Sequence, residues 1–402
     1  MKKTYIDTAM ERIAPDLILK GGNVVDVFSG RVIKADVIIK DGIICGVGSY
    51  SGENEQDVSG KYIMPGFIDS HVHIESSMTQ PSEYAKAVMP HGITTVIADP
   101  HEITNVCGED GLEFMLKSAK NIPLDVNLML PSCVPATPFE HTGANLDAKT
   151  TQKLAPKFFG IGEMMNYPGI VSGDDETLGK LCLDIIDGHA PLLSGHELDA
   201  YASAGIKTDH ECSVVEEMTE KISKGMYILL REGTLSLDVA KLIKGVTPYT
   251  LRRCAFCTDD RFVGEIIRDG SIDHCIRKAV SLGLNNIDAI IMATLNACEM
   301  YGMKNKGAIA PSYVADIVVA DDLNLSSISQ VYKNGKLVCE NGKALFECET
   351  VDNSKVTNTV HLPKISADFF KTDVKDKFDA IELIPESIIT KKVTVSYSDS
   401  LS

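Results

Sequence analysis

Met64-Pro65-Gly66-Phe67-Ile68-Asp69-Ser70-His71-Val72-His73 is an apolar run that ends in two histidines two positions apart. In an extended strand, residues i and i+2 point to the same face. His71 and His73 therefore aim two imidazoles at one point, which suits a divalent metal. The same pair also fits two unrelated histidines at an ordinary strand end. What favours the metal is the order of ligand types further along the chain.

On the N-terminal side of this run the text is short β segments, 16–20, 23–27, 37–40 and 43–47, separated by Gly21-Gly22, Ser29-Gly30 and Asp41-Gly42 as turns. Residues 1–14 read as an amphipathic leader. On the C-terminal side the pattern changes. Strand-like runs at 92–99, 125–130, 160–164, 191–196 and 254–260 alternate with helical patterns at 82–89, 110–119, 175–188, 214–224 and 287–301. Repeated βα units over roughly 250 residues are the size and signature of a (β/α)8 barrel. A doubly wound open sheet is the runner-up, but no Gly-rich phosphate loop follows an early strand. After Ala310 the β text returns, and Val331-Tyr332-Lys333-Asn334-Gly335 resembles Ile18-Leu19-Lys20-Gly21-Gly22. The expected architecture is α/β: a distorted TIM-like barrel at 61–311 inserted in a small composite β-sandwich domain. That domain is built from 1–60 and 312–349. Residues 350–402, with a strand candidate at 380–384 and a Ser-rich ending, read as a tail or an incomplete further domain.

Bulk properties narrow the function. The chain has 402 residues, 44% of them hydrophobic, and a formal net charge of -17. Such acidity argues against nucleic acid or an anionic membrane as the main partner and favours a small neutral or cationic substrate. Eleven cysteines lie scattered without a framework, which fits a reducing cytosol better than a disulfide scaffold. The N-terminus has no apolar segment of a secretory signal, and no run of about 18 apolar residues suggests a membrane span.

Barrel active sites sit where strands end, so polar residues terminating apolar runs are the candidates. In order these are His71 and His73, Asp99 with His101 and Glu102, Glu163, His189, His210 with Glu211, and Asp259 with Asp260. A carboxylate on a buried strand is costly unless it is paired or metal-bound. Four histidines and two carboxylates are enough for two divalent ions sharing a bridging carboxylate, and the chemistry would then be metal-assisted hydrolysis. Ligand type does not choose between Mn, Fe and Zn. Each residue also has a plainer reading: His189 in a turn, His210 in a solvated loop, Glu163 at a helix N-terminus, Asp259 or Asp260 as an N-cap. His91, His141, His196 and His274 read as structural or surface residues. Cys254 and Cys257 form one CxxC with no second, and read as packing.

Several segments resemble the amidohydrolase superfamily and, within it, the bacterial and archaeal adenine deaminases. They are the opening run through His71-Val72-His73-Ile74-Glu75-Ser76-Ser77, then Ala98-Asp99-Pro100-His101-Glu102-Ile103, Pro131-Ser132-Cys133-Val134-Pro135, Gly162-Glu163-Met164-Met165-Asn166, Gly188-His189-Ala190-Pro191, Asp209-His210-Glu211 and Cys257-Thr258-Asp259-Asp260-Arg261. They run in family order over 15 to about 345. The resemblance implies hydrolysis of adenine to hypoxanthine and ammonia, in purine salvage, at a centre of two divalent ions, Mn2+ first and Fe2+ or Zn2+ as alternatives. By position, His71 and His73 would bind one metal and His189 and His210 the other. Glu163 would bridge them where many relatives have a carboxylated lysine. Asp259 would ligate and take a proton from the attacking water. Glu163 or Glu102 would protonate the ring, and Asp99, His101, Glu102 and Ser77 would line the substrate pocket. A cytoplasmic homo-oligomer, a dimer, is expected, without nucleic acid or membrane partners. Family members usually continue with a further C-terminal domain, so a truncated chain is part of the expectation. The alternatives are another cyclic-amide hydrolase, of dihydroorotase or hydantoinase type, and an inactive truncated barrel acting as a scaffold.

Overall fold

A computed structural model describes residues 2–371, 376–387 and 389–396. The end of the Ser-rich C-terminal text, 397–402, lies outside the described residues. An N-terminal helix, Lys2–Ala9, precedes strands β1 (Leu17–Asp26), β2 (Arg31–Lys40), β3 (Ile43–Gly48), β4 (Glu55–Asp57) and β5 (Tyr62–Pro65). Strands β6 (Phe67–Val72), β7 (Ile93–Ala98), β8 (Asp125–Leu130), β9 (Gly160–Met164), β10 (Ile186–Gly188), β11 (Thr208–Asp209), β12 (Tyr227–Arg231) and β13 (Cys254–Cys257) follow, with helices between most of them. The chain returns to antiparallel sheet in β14 (Ile317–Ala320), β15 (Ile328–Lys333), β16 (Lys336–Glu340) and β17 (Lys343–Ala344), and ends in the hairpin β18 (Lys377–Leu383) and β19 (Thr390–Ser396).

The segments before and after the parallel strands share one nine-stranded sheet, in the order β17-β16-β15-β14-β5-β1-β2-β3, with β4 on β1. The seam is β5, which pairs parallel with β1 and antiparallel with β14, Ile63 opposite Val319. Leu19, Val24, Val37, Ile39, Ile63, Ile317 and Val319 pack there as one buried cluster. Burying each such side chain contributes roughly 1.5–3 kcal/mol, so the two segments are held by apolar contact as well as by ladder bonds.

β6 to β13 are the eight parallel strands of a distorted TIM-like barrel. They form two arcs, β6 to β10 and β11 to β13. A parallel bridge between Val72 and Asp259 closes one seam, with Asp259 N–H donating to the His71 carbonyl at 3.0 Å and His73 N–H to the Asp259 carbonyl at 3.3 Å. The other seam is thin: Lys207 N–H reaches the Ile186 carbonyl at 3.5 Å. β7 and β13 are buried at every position, as expected of parallel strands covered on both faces.

The apolar text misplaced some elements. The 175–188 pattern is helical only over Asp175–Gly179, and its end is the strand β10. A short apolar run fits either period, and here pairing with β9 decides, through Ile161 N–H on the Ile185 carbonyl. The run at 191–196 is not a strand. Leu192 and Gly195 have φ of 61° and 59°, Pro191 has no N–H to give, and a helix begins at Gly195. The 287–301 pattern is two helices, Asn286–Ala293 and Leu295–Met300, broken at Thr294. The 110–119 pattern is the second half of His101–Ser118, kinked at Gly108. β12 was not anticipated.

Candidate metal centre

His71 is the next-to-last residue of β6, with His73 just beyond the strand. The His73 Nδ1–H donates to the Asp99 carbonyl at 2.8 Å, which leaves its Nε2 lone pair free. That Nε2 faces His71 Nε2 at 3.1 Å and Asp259 Oδ1 at 3.1 Å. Asp259 follows β13 with φ of 55°, a left-handed conformation uncommon outside glycine and typical of functional sites. It turns the carboxylate inward while the backbone closes the barrel.

Glu163, on β9, faces both halves of the cluster. Its Oε2 lies 2.6 Å from His189 Nδ1 and 3.1 Å from His210 Nε2. Its Oε1 lies 3.3 Å from His101 Nδ1 and 3.5 Å from His73 Nε2. The His71 and His210 rings stack at 4.0 Å. Burial would raise the Glu163 carboxyl, but His189 and His210 outweigh it and hold it well below the usual range. Burial would likewise raise Asp259, yet the His73 contact, His210 and Arg231 keep it well below. Burial opposes charge on His189, but Glu163 and Glu211 lift it to about 9. Ring nitrogens and carboxylate oxygens that converge in a buried space, with the His71 and His73 Nε2 atoms 3.1 Å apart and His210 Nε2 3.1 Å from Glu163, fit a pair of divalent cations. His71, His73 and Glu163 form one group able to hold an ion, and Glu163, His189 and His210 another.

Asp99 supports the centre from behind. Its Oδ2 accepts from Glu163 N–H at 3.0 Å, and a Cβ on Gly162 would fall inside that carboxylate. His71 Nδ1 points at Asp187 Oδ2 from 3.7 Å, and Tyr301 and Thr208 donate to Asp187. Glu102 accepts from Ser76 Oγ at 2.9 Å, and Ser76 also contacts Asp260. The other Glu102 oxygen is buried without a hydrogen-bond partner. Ser77 is turned away, donating to the Ile74 carbonyl at 2.6 Å. His91 pairs with Asp273, while His141 and His196 are exposed. Cys254 and Cys257 are buried, and all eleven cysteines are free thiols.

Two cations escaped the sequence reading. Arg231, at the end of β12, is 2% exposed and donates to Asp259 Oδ2 at 2.8 Å. Its signal was present, an apolar Tyr227–Leu230 run ending in a charge, the same rule that found Glu163. Lys221 lies on the helix Val215–Ser223, fully buried. Its Nζ donates to the Ala190 carbonyl and to Glu217 at 2.7 Å each, and pairs with Asp209 at 3.1 Å. Nothing in its sequence context marked it.

Residues 62–338 match the model of the amidohydrolase family. The chain belongs to that family. It is 46% identical to the adenine deaminase 2 of Desulfotalea psychrophila, over 98% of this chain and 70% of that protein. It is 48% identical to the adenine deaminase of Clostridium acetobutylicum, over 96% and 70%. Among solved structures it is similar to an enamidase, a member of the amidohydrolase superfamily, with a TM-score of 0.61 at 19% identity over 82% of this chain and 97% of the other. A β-aspartyl dipeptidase from Fervidobacterium islandicum AW-1 gives a TM-score of 0.58 at 20% identity, over 84% and 99%. These two likenesses concern the fold alone. Among the described residues no helix is long and apolar enough to cross a membrane.

Proposed function

We infer that this chain is an adenine deaminase, a hydrolase that converts adenine and water to hypoxanthine and ammonia. The identity of 46–48% to curated adenine deaminases over nearly the whole chain carries this reading, and the centre supplies groups for the chemistry. His71, His73 and Asp259 would hold one ion, His189 and His210 the other, with Glu163 shared between them. When bound, divalent cations make an attacking water acidic near neutral pH.

Asp259 is proposed to take the proton of that water, with the oxygen that faces the histidines, as water adds to the amino-bearing ring carbon. The same proton then leaves with the amino group as ammonia. The ring nitrogen needs an acid. Glu163 has one oxygen bonded to His189 at 2.6 Å and would be taken up by the ions it shares, whereas Glu102 keeps an unpartnered oxygen beside His73, 3.6 Å from its Nδ1. Glu102 therefore suits that role better, and it regains its proton from the new hydroxyl as ammonia departs and the ring carbonyl forms. His101 would border the base, Asp99 would act through the Glu163 backbone it holds, and Ser77 only through the turn it holds.

We further propose Mn2+ as the resident ion, with Fe2+ or Zn2+ acceptable to the same donors, a cytoplasmic homodimer, and a place in purine salvage. The domain division at 60, 311 and 349 is likewise proposed. Protein grown with added Mn2+ should release ammonia from adenine and form hypoxanthine, and should leave dihydroorotate intact. Turnover of dihydroorotate instead would move the chain to the cyclic-amide hydrolases. No turnover of either substrate by the metal-loaded protein would refute the enzyme reading.

A further inference from the structure

One buried guanidinium touches both halves of the centre. Arg231 Nη1 donates to Asp259 Oδ2 at 2.8 Å and also to Glu211 Oε1. Asp259 Oδ1 is thereby left facing His73 Nε2 at 3.1 Å and His71 Nε2 at 3.9 Å. Glu211 Oε1 in turn stands 3.4 Å from His210 Nε2 and 3.7 Å from His189 Nδ1. Nη2 reaches the second Glu211 oxygen at 3.4 Å. On the side away from the histidines, Nε donates to Asp238 Oδ2 at 3.1 Å, and Lys241 holds the other Asp238 oxygen at 2.9 Å. Asp238 N–H closes the loop on the Arg231 carbonyl at 2.9 Å. Every donor direction of the fork is thus assigned to a carboxylate.

We propose that Arg231 is a positioning residue. It fixes which Asp259 oxygen faces the His71–His73 pair and, through Glu211, ties that carboxylate to the His189–His210 pair, with Asp238 as the outer anchor. The arrangement needs a planar fork. An ammonium is a point charge on a flexible stem and cannot satisfy Asp259, Glu211 and Asp238 in fixed directions. Loss of a group that orients ligands typically weakens metal retention or activity about 10–100-fold. The inference rests on the metal-centre assignment proposed above for Asp259 and the four histidines, and not on the identity of the substrate.

The test uses the full chain produced in Co2+-supplemented medium. Wild type is compared with Arg231→Met, Arg231→Lys and Asp238→Ala, each checked for folding by circular dichroism. The readouts are the visible absorption bands of bound Co2+, the rate of Co2+ loss to a chelator, and kcat and KM on adenine. Arg231→Met should shift the bands, lose Co2+ about 10–100-fold faster, and lower kcat by a comparable factor while KM stays within about threefold. Arg231→Lys should recover only a minor part of this. Asp238→Ala, which touches none of the histidines, should move the same readouts in the same direction by less. A folded Arg231→Met with wild-type bands, chelator rate and kcat would overturn the proposal, as would full recovery in Arg231→Lys. If Arg231→Met fails to fold, Asp238→Ala decides, and unchanged Co2+ bands and kcat there would overturn it. If wild type does not deaminate adenine, the proposed function fails, while the Co2+ bands and chelator rates still decide for or against Arg231.

Discussion

Replacing Lys221 by methionine isolates a buried charge that holds the second histidine pair in place. Lys221 is 0% exposed, and so is the side chain of Asp209. Burial works against the ammonium, but Asp209 and Glu217 outweigh it and keep it charged. Its three contacts tie the segment after His189 to the strand end that carries His210. Asp209 Oδ2 also accepts from Ala190 N–H at 2.9 Å, and Glu217 Oε1 from Leu192 N–H at 2.7 Å. Methionine fills much of the same volume, so little cavity is created. The cost is that of leaving partner charges buried and unpaired, about 3–5 kcal/mol. Backbone donors remain on both carboxylates, which places the expectation at the lower end, about 3 kcal/mol. The chain has no tryptophan, so unfolding in urea would be followed by circular dichroism. Lys221→Met combined with Glu217→Gln should recover part of the loss, because one stranded charge is then removed. A loss below about 1 kcal/mol, the value of an exposed pair, would refute the reasoning. So would a double variant no better than the single one.

Asp259→Asn should lower kcat on adenine about 10²–10⁴-fold with the fold intact by circular dichroism; near-normal turnover would remove its proton-transfer role. Glu163→Gln should lower the metal content per chain by elemental analysis, and an unchanged count and rate would argue against a shared ligand. Chelation should abolish ammonia release, and Mn2+ should restore it better than Mg2+. Gly162→Ala should push Asp99 off the Glu163 backbone and cost activity; a wild-type rate would show that this contact is dispensable. Burial would raise Asp273, but His91 and Arg277 hold its carboxyl below the ordinary value. Its stabilisation is therefore present above the unfolded pKa of about 3.9 and is lost as pH falls through the lower folded value. The stability gap between wild type and Asp273→Asn should shrink over that acid range in urea titrations, and a constant gap would contradict it.

Along the chain, residues that end apolar runs were legible because a charge inside a strand buried on both faces is costly. That rule located His71, His73, Asp99, Glu163 and Asp259 from text alone, together with the alternation that marks a barrel. It was also sufficient for Arg231, whose strand was passed over. It also picked out His189, but not the strand that carries it: Ile186–Gly188 has no pattern of its own and exists only because β9 offers it a partner. Ser77 shows the opposite failure: next to a residue that contacts Glu102, its hydroxyl is taken by its own turn. From the sequence came the fold class and the order of the candidate residues at strand ends, since these depend on local period and on the cost of burying a charge. Tertiary structure alone decided which charges meet. Lys221 and Arg231 acquire their contacts from segments distant in sequence, and the pairing of Val72 with Asp259 that brings the first and last candidate residues together is a property of barrel closure.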